Sequence, residues 1–156
     1  MPPDSGAAAA ELRAAAAEDL PELLRLAREF YDEDGFATSD ADLERNFRAL
    51  LAAPSAHTVL AVRDGAGVGF ALTTGQLVLE SGLVAELQDL YVLPAHRRKG
   101  VAGLLVDDSI RWAKSQGASQ VEVVVAPNGR DVGHLFTYYA ALGFQDEGRR
   151  LLSLEL

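Results

Sequence analysis

The residues best suited to hold a charged ligand lie in one short basic stretch. Arg97, Arg98 and Lys99 follow an apolar segment and Pro94, and a glycine and an amphipathic run come directly after them. A strand that ends in such a turn and leads into a helix presents backbone N–H groups and the positive end of the helix dipole to an anion. The pattern predicts a phosphate-binding site on residues 97–103, with a solvated basic loop as the alternative.

Two common nucleotide-binding motifs are absent from this stretch. It has no Gly-Lys-Ser/Thr ending, which a Walker A loop requires, and no Gly-x-Gly-x-x-Gly spacing, which dinucleotide-binding folds require. The predicted phosphate site therefore belongs to neither of these classes.

The composition excludes several kinds of chemistry. The chain has no cysteine, which rules out a disulfide framework, a thiolate metal site and a thiol nucleophile. His57, His96 and His134 stand far apart in the sequence, so we expect no metal site. A net charge of −9 disfavours nucleic-acid binding, and no apolar run is long enough to cross a bilayer. With no secretory signal at the start, the expected location is cytoplasmic.

The periodicity of the chain predicts the elements that position the basic turn. We expect residues 1–10 to form a disordered leader and residues 11–156 to form a single domain. The predicted order is strand, two helices, three strands, helix, strand, helix, strand, which is a mixed α/β (α+β) domain with helices on both faces. The two helices that follow the first strand begin after Asp19 and Ser39. The predicted strands are 11–16, 58–63, 68–74, 83–92, 121–125 and a last one on Leu152, Leu154 and Leu156.

Two motifs together resemble the GNAT acyltransferase superfamily. Residues 97–102 (Arg-Arg-Lys-Gly-Val-Ala) are similar to its Gln/Arg-x-x-Gly-x-Gly/Ala signature, and residues 139–144 (Tyr-Ala-Ala-Leu-Gly-Phe) are similar to its second signature. They occur in the expected order, separated by a helix and a strand. The resemblance implies a mostly antiparallel sheet of six to seven strands, splayed between two parallel central strands, 83–92 and 120–125. It also implies acetyl-CoA as the acyl donor, lying in that opening, with no metal.

The resemblance also implies which residues contact the cofactor. The pyrophosphate would rest on the N–H groups of residues 98–103, and the pantetheine arm would follow the first central strand, which often carries a bulge. Many relatives place an asparagine seven residues before the tyrosine, where this chain has Val132, whereas Asn128 lies farther back on a longer loop. The implied contacts with acetyl-CoA are Leu90, Tyr91, Val92, Arg97, Arg98, Lys99, Gly100, Val101, Ala102, Gly103, Asn128 and Tyr139.

Catalytic roles are predicted for two side chains. With no cysteine available, we expect the amine to attack the thioester directly in a ternary complex. The resemblance implies Tyr139 as the acid that protonates the leaving sulfur, with a core aromatic as the alternative. Glu86 lies at a position similar to that of the base in histone-type members of the superfamily. We predict that it acts as the base through an ordered water. The alternatives are that it orients the substrate or has only a structural role. Period-two geometry puts Asp89 on the opposite face, where it would only hold a loop, and puts Glu86, Gln88, Leu90 and Val92 together.

The acceptor site is predicted from an aromatic residue beside a carboxylate cluster. Tyr31, Glu33, Asp34 and Gln88 would form it, which suits a cationic amine such as a polyamine, an aminoglycoside or a basic amino acid. A solvated acidic helix end is the alternative. The predicted function is transfer of an acetyl group from acetyl-CoA to a primary amine of a small molecule, with a homodimer possible. A protein or peptide N-acetyltransferase and a noncatalytic acyl-CoA-binding module are the other two hypotheses.

Overall fold

The computed structural model describes residues 9–127 and 130–156, which divide into two compact units. The first unit ends at Val124, and the second runs from Val125 to Leu156. The predicted leader, residues 1–10, therefore lies almost entirely outside the described residues, and so does Asn128.

The first unit is built on a sheet of five strands whose spatial order follows the chain order. Neighbouring strands are antiparallel except for the last pair, which is parallel. That last pair joins only residues 84–87 to residues 120–123, so the second half of the fourth strand extends beyond its partner. The strands are β1 (Glu11–Ala14), β2 (Ala56–Arg63), β3 (Ala66–Val78), β4 (Gly82–Val92) and β5 (Gln120–Val123).

Three α-helices complete the described part of the first unit, α1 (Leu20–Asp34), α2 (Asp40–Ala52) and α3 (Val101–Ser115). Gly35 ends α1 in the left-handed region at φ 78°, where a side chain would be strained. Ser39 begins α2, because its hydroxyl accepts the Asp42 N–H at 3.1 Å. None of the helices that the structure describes is long and apolar enough to cross a bilayer.

Helices cover both faces of the sheet, as predicted. Leu60, Phe70 and Tyr91 are cross-strand neighbours in β2, β3 and β4, and they share one apolar cluster with α1 and α2. His57, on the other face of β2, stacks on Trp112 of α3 with ring centroids 5.4 Å apart. Burial of apolar residues on both sides therefore makes the sheet the middle layer of the unit.

The described residues of the second unit contain one helix, α4 (Gly133–Ala141), followed by chain without regular structure up to Leu156. The last predicted strand is therefore wrong. Leu152, Leu154 and Leu156 alternate as in a strand, but they are 85% or more exposed. Alternation sets the face that each side chain takes, whereas a strand also needs a neighbour for its N–H and C=O groups. The described sheet has five strands instead of six to seven, and β5 lies at its edge instead of at its centre.

Candidate active site

The turn between β4 and α3 presents a row of backbone N–H groups. In the part of the chain that the structure describes, no protein acceptor lies on the N–H groups of residues 98–103, whereas the Leu104 N–H bonds the Gly100 carbonyl at 3.1 Å. Arg98 and Gly100 both have positive φ, 62° and 81°. Unpaired N–H groups at a helix start, turned by left-handed residues, form an anion-binding concavity.

Space is open beside this turn. Apart from its chain neighbours and its own helix backbone, a Cβ added at Gly100 or at Gly103 would meet no described atom within 4 Å. Arg98 and Lys99 are exposed beside this space, and the Lys99 ammonium donates to the Ala95 carbonyl at 3.0 Å. The turn therefore has the donors, the charge and the room for a pyrophosphate group.

Arg97 has a different position from the other two cations. Its guanidinium donates to the Val92 carbonyl and to a Glu33 carboxylate oxygen, both at 2.8 Å, and lies 5.5 Å from the centroid of the Tyr91 ring. Tyr91 also donates to Glu33, at 3.3 Å. Glu33, which was predicted to contact the acceptor, thus joins the end of α1 to the basic turn.

A bulge in β4 decides which carboxylates share a face. Leu87 pairs with Thr73 and Asp89 pairs with Leu72, so Gln88 is an extra residue in β4. Glu86 pairs with Thr74, which lies on the same face of β3 as Leu72. The predicted alternation is therefore wrong after Glu86. Glu86 and Asp89 lie together on the face covered by α1 and α2, and Leu90 and Val92 lie on the face covered by α3.

A cavity of about 200 Å³ lies on the α1 and α2 side of the sheet. Tyr31 and Asp89 meet in its wall, where the Tyr31 hydroxyl donates to Asp89 Oδ1 at 3.3 Å. The Gln88 amide donates to Thr74 Oγ1 at 2.7 Å. Glu33 and Asp34, at the end of α1, do not line this cavity. Its lining residues are Ala27, Tyr31, Thr38, Leu43, Asn46, Phe47, Leu50, Phe70, Leu72, Gln88 and Asp89.

The environment of Asp89 changes its acidity. Burial is the largest cause that raises the pKa of its carboxyl, the Tyr31 hydrogen bond lowers it and the nearby Glu86 charge raises it, and together these effects bring it to about 6. Burial and the Asp89 charge raise the pKa of Tyr31 to about 12, so the phenol remains a donor. A carboxyl that titrates near neutral pH in a cavity wall can take up a proton from a ligand. Sequence reasoning missed Asp89, and the signal that could have found it is the bulge expected in this strand.

Tyr139 lies in α4, in the second unit. It is 9% exposed, and its ring contacts those of Tyr138 and Phe144 edge-on, at centroid distances of 5.2 and 5.4 Å. Burial raises the pKa of its phenol to about 12, so the hydroxyl is protonated at neutral pH. The Asp131 carboxylate accepts the Gly133 N–H at 2.9 Å at the start of α4. In the described residues no group of three or more His, Asp or Glu is arranged to hold a metal ion.

A mostly antiparallel sheet, a bulged fourth strand and a glycine-containing turn at the start of the next helix agree with the resemblance to the GNAT acyltransferases. The model of the acetyltransferase (GNAT) family matches residues 20–144. This match covers most of the chain, which therefore belongs to the acetyltransferase (GNAT) family. Members of this family use acetyl-CoA as the acyl donor.

Individual relatives agree with this assignment. An uncharacterised N-acetyltransferase from Archaeoglobus fulgidus is 29% identical over 119 residues, which cover 74% of this chain and 81% of the relative. An aminoglycoside N(6')-acetyltransferase from Serratia marcescens is 34% identical over 119 residues, which cover 71% of this chain and 77% of the relative. The fold is similar to that of an aminoglycoside N-acetyltransferase solved in complex with CoA. That comparison has a TM-score of 0.85 and 20% identity, and it covers 97% of this chain and 98% of the other.

Proposed function

We propose that the protein transfers an acetyl group from acetyl-CoA to a primary amine of a small cationic molecule. The observation that carries the proposal is the cavity beside β4, where a half-buried carboxylate and a tyrosine face a space of about 200 Å³. Negative charge in a partly apolar cavity favours a cationic amine, and the small volume favours one amine-bearing ring or chain over a folded protein. The similarity to an aminoglycoside N(6')-acetyltransferase supports the same class of acceptor.

In this proposal the basic turn holds the cofactor. The pyrophosphate of acetyl-CoA accepts hydrogen bonds from the N–H groups of residues 98–103, with Arg98 and Lys99 beside it. Leu90, Tyr91 and Val92 lie on the part of β4 that extends beyond β5, where an amide-rich pantetheine arm can pair with strand backbone. The contacts proposed for these residues remain predictions.

The chemistry needs one bond to form and one to break. The amine nitrogen attacks the thioester carbonyl carbon, the C–S bond breaks, and CoA leaves as a thiolate that needs a proton. Tyr139 is the proposed donor of that proton, since its phenol is protonated over the working pH range. The amine loses its own proton to a base, for which the sequence predicts Glu86 through an ordered water.

Two other functions remain as alternatives. A protein or peptide N-acetyltransferase would accept a lysine side chain or a chain terminus, and a noncatalytic module would bind acetyl-CoA without turnover. A homodimer, a cytoplasmic location, the absence of nucleic-acid partners and the single-domain organisation also stay predictions.

The test is a thiol-release assay with acetyl-CoA and a panel of acceptors. Neamine, spermidine and free lysine represent small cationic amines, and a lysine-containing peptide represents protein acceptors. The proposal expects release with at least one small amine and an acetylated product of the right mass. Turnover of the peptide alone would favour the protein acetyltransferase, and acetyl-CoA binding without any turnover would favour the binding module.

A further inference from the structure

We infer that Asp89, rather than Glu86, receives the proton of the attacking amine, and that Tyr31 is the residue that positions its carboxylate. The inference rests on the proposed function, because it assigns the base of that same reaction. It follows from the bulge at Gln88, which moves Asp89 from the predicted opposite face into the wall of the cavity.

The two oxygens of the Asp89 carboxylate have different surroundings. Oδ1 accepts the Tyr31 hydroxyl at 3.3 Å, and this contact joins α1 to β4. Oδ2 has no hydrogen-bond partner among the described residues. One oxygen is thus held by the protein, while the other is available to an amine N–H in the cavity. Glu86 does not line this cavity, although its charge acts on Asp89.

The proton balance is simple. As the new N–C bond forms, the amine N–H bond breaks and the proton moves to Asp89 Oδ2, from which it returns to solvent after the product leaves. A base is most effective when its pKa lies near the working pH, and burial brings Asp89 closer to that range than an exposed aspartate. Tyr31 remains protonated throughout, so it holds the carboxylate without taking part in the proton transfer.

The groups that surround Asp89 allow signed predictions. Among the described residues, Tyr31 on α1 and Glu86 on β4 are the titratable groups that act on it, and the lining residues of α2 are uncharged. The Tyr31 hydrogen bond lowers the Asp89 pKa, so Tyr31→Phe should raise it. The Glu86 charge raises the Asp89 pKa, so Glu86→Gln should lower it.

The experiment measures kcat/KM against pH with acetyl-CoA and neamine, with spermidine as the probe if neamine is not turned over. For the wild-type protein we expect a break near pH 6, superimposed on the slope that comes from deprotonation of the amine. Asp89→Asn should remove the break and lower the plateau by about 100-fold or more, which is the usual contribution of a general base. Asp107→Asn, an exposed carboxylate on α3, is the matched control and should leave the profile unchanged.

The variants Tyr31→Phe and Glu86→Gln distinguish Asp89 as the base from Glu86 as the base. The break should move to higher pH in Tyr31→Phe and to lower pH in Glu86→Gln, with a plateau that falls much less than in Asp89→Asn. Titration of ¹³C-labelled aspartate by NMR should show the same two shifts in the protein without substrate. Loss of turnover in Glu86→Gln, with near-normal turnover in Asp89→Asn, would overturn the inference and leave the proposed function intact. A wild-type protein inactive on every amine would overturn both.

Discussion

At residue 139, a buried phenol in α4 remains protonated well above neutral pH. If this phenol protonates the leaving sulfur, Tyr139→Phe removes the proton and little else. Turnover should then fall by about 100-fold, while the affinity for acetyl-CoA stays nearly constant, because the lost interaction belongs to the transition state. Steady-state kinetics and isothermal titration of acetyl-CoA measure the two quantities.

The neighbouring tyrosine provides the control for that prediction. Tyr138 contacts the Tyr139 ring at a centroid distance of 5.2 Å but points in a different direction from the helix. Tyr138→Phe should therefore keep its turnover. Equal losses in the two variants would indicate a packing role for both rings, and an unchanged Tyr139→Phe would remove this residue from the mechanism.

The extra residue Gln88 in β4 changes which side chains of that strand face the cavity. Alternation alone would place Asp89 on the side of α3, and the bulge places it opposite Leu72 on the side of α1 instead. Sequence periodicity cannot reveal a bulge, since an extra residue leaves the apolar pattern of a well-buried strand nearly unchanged. The set of side chains that face the cavity was therefore the part of the site that was hardest to predict.

At the level of secondary-structure elements, the start of α3 is the proposed binding site for the pyrophosphate of acetyl-CoA. Gly100 has φ 81°, and the space beside it is open. Gly100→Asp puts a negative charge and a side chain where the pyrophosphate is expected, so acetyl-CoA affinity should fall by at least about 100-fold. Isothermal titration measures this loss directly.

Gly117 is a matched control at the other end of the same helix. It has φ 80° and equally open surroundings, so Gly117→Asp causes a similar backbone strain far from the basic turn. It should reduce the melting temperature in a similar way but keep the affinity for acetyl-CoA. If both variants bound acetyl-CoA as well as the wild-type protein, the cofactor site would have to lie elsewhere.

The contacts of Asp19 between β1 and α1 should contribute to the stability of the folded protein. Asp19 is 7% exposed, and its carboxylate accepts two hydrogen bonds from Arg13, at 2.6 and 2.7 Å, and one from the Ala16 N–H at 2.8 Å. Asp19→Ala would remove the acceptor of all three donors and break the contact of Arg13 with the start of α1. The free energy of unfolding should fall by about 2 kcal/mol at pH 7.

The pH dependence of this effect has a definite sign. The Arg13 hydrogen bond holds the pKa of Asp19 below its usual value, so the stabilisation is fully present above the pKa of the unfolded chain, about 4. It is lost as the pH falls through the lower pKa of the folded protein. Urea denaturation should show a smaller difference between wild type and Asp19→Ala at pH 3 than at pH 7. Asp32→Ala, an exposed position on α1, should change stability little at either pH.

For the whole molecule, local sequence signals predicted most of the fold. Ser39 caps α2 as expected, and Asp64 and Gly65, with φ of 52° and 79°, form the hairpin turn between the predicted strands 58–63 and 68–74. These signals are reliable because each depends on a side chain and its own backbone. The strand expected at Leu152 and Leu154 is absent because pairing depends on a neighbouring strand, which alternation does not specify.

For the candidate site too, local features could be predicted from the sequence and long-range contacts could not. The basic turn was predicted because glycine, charge and a helix start are all local features, and no acceptor among the described residues bonds its N–H groups. The acceptor side depends on how α1, α2 and β4 meet, so only Tyr31 and Gln88 of the four predicted residues line the cavity. Glu33 instead pairs with Arg97, a contact between residues 64 positions apart in the chain.

Thiol release from acetyl-CoA by wild-type protein and by Gly100→Asp, with neamine, spermidine and lysine as acceptors, tests both the reaction and the cofactor site. The wild-type protein should release CoA with at least one of these amines and yield its monoacetylated product, and Gly100→Asp should show neither binding nor release. A wild-type protein that neither binds acetyl-CoA nor acetylates any of these amines would refute the proposed acetyl transfer.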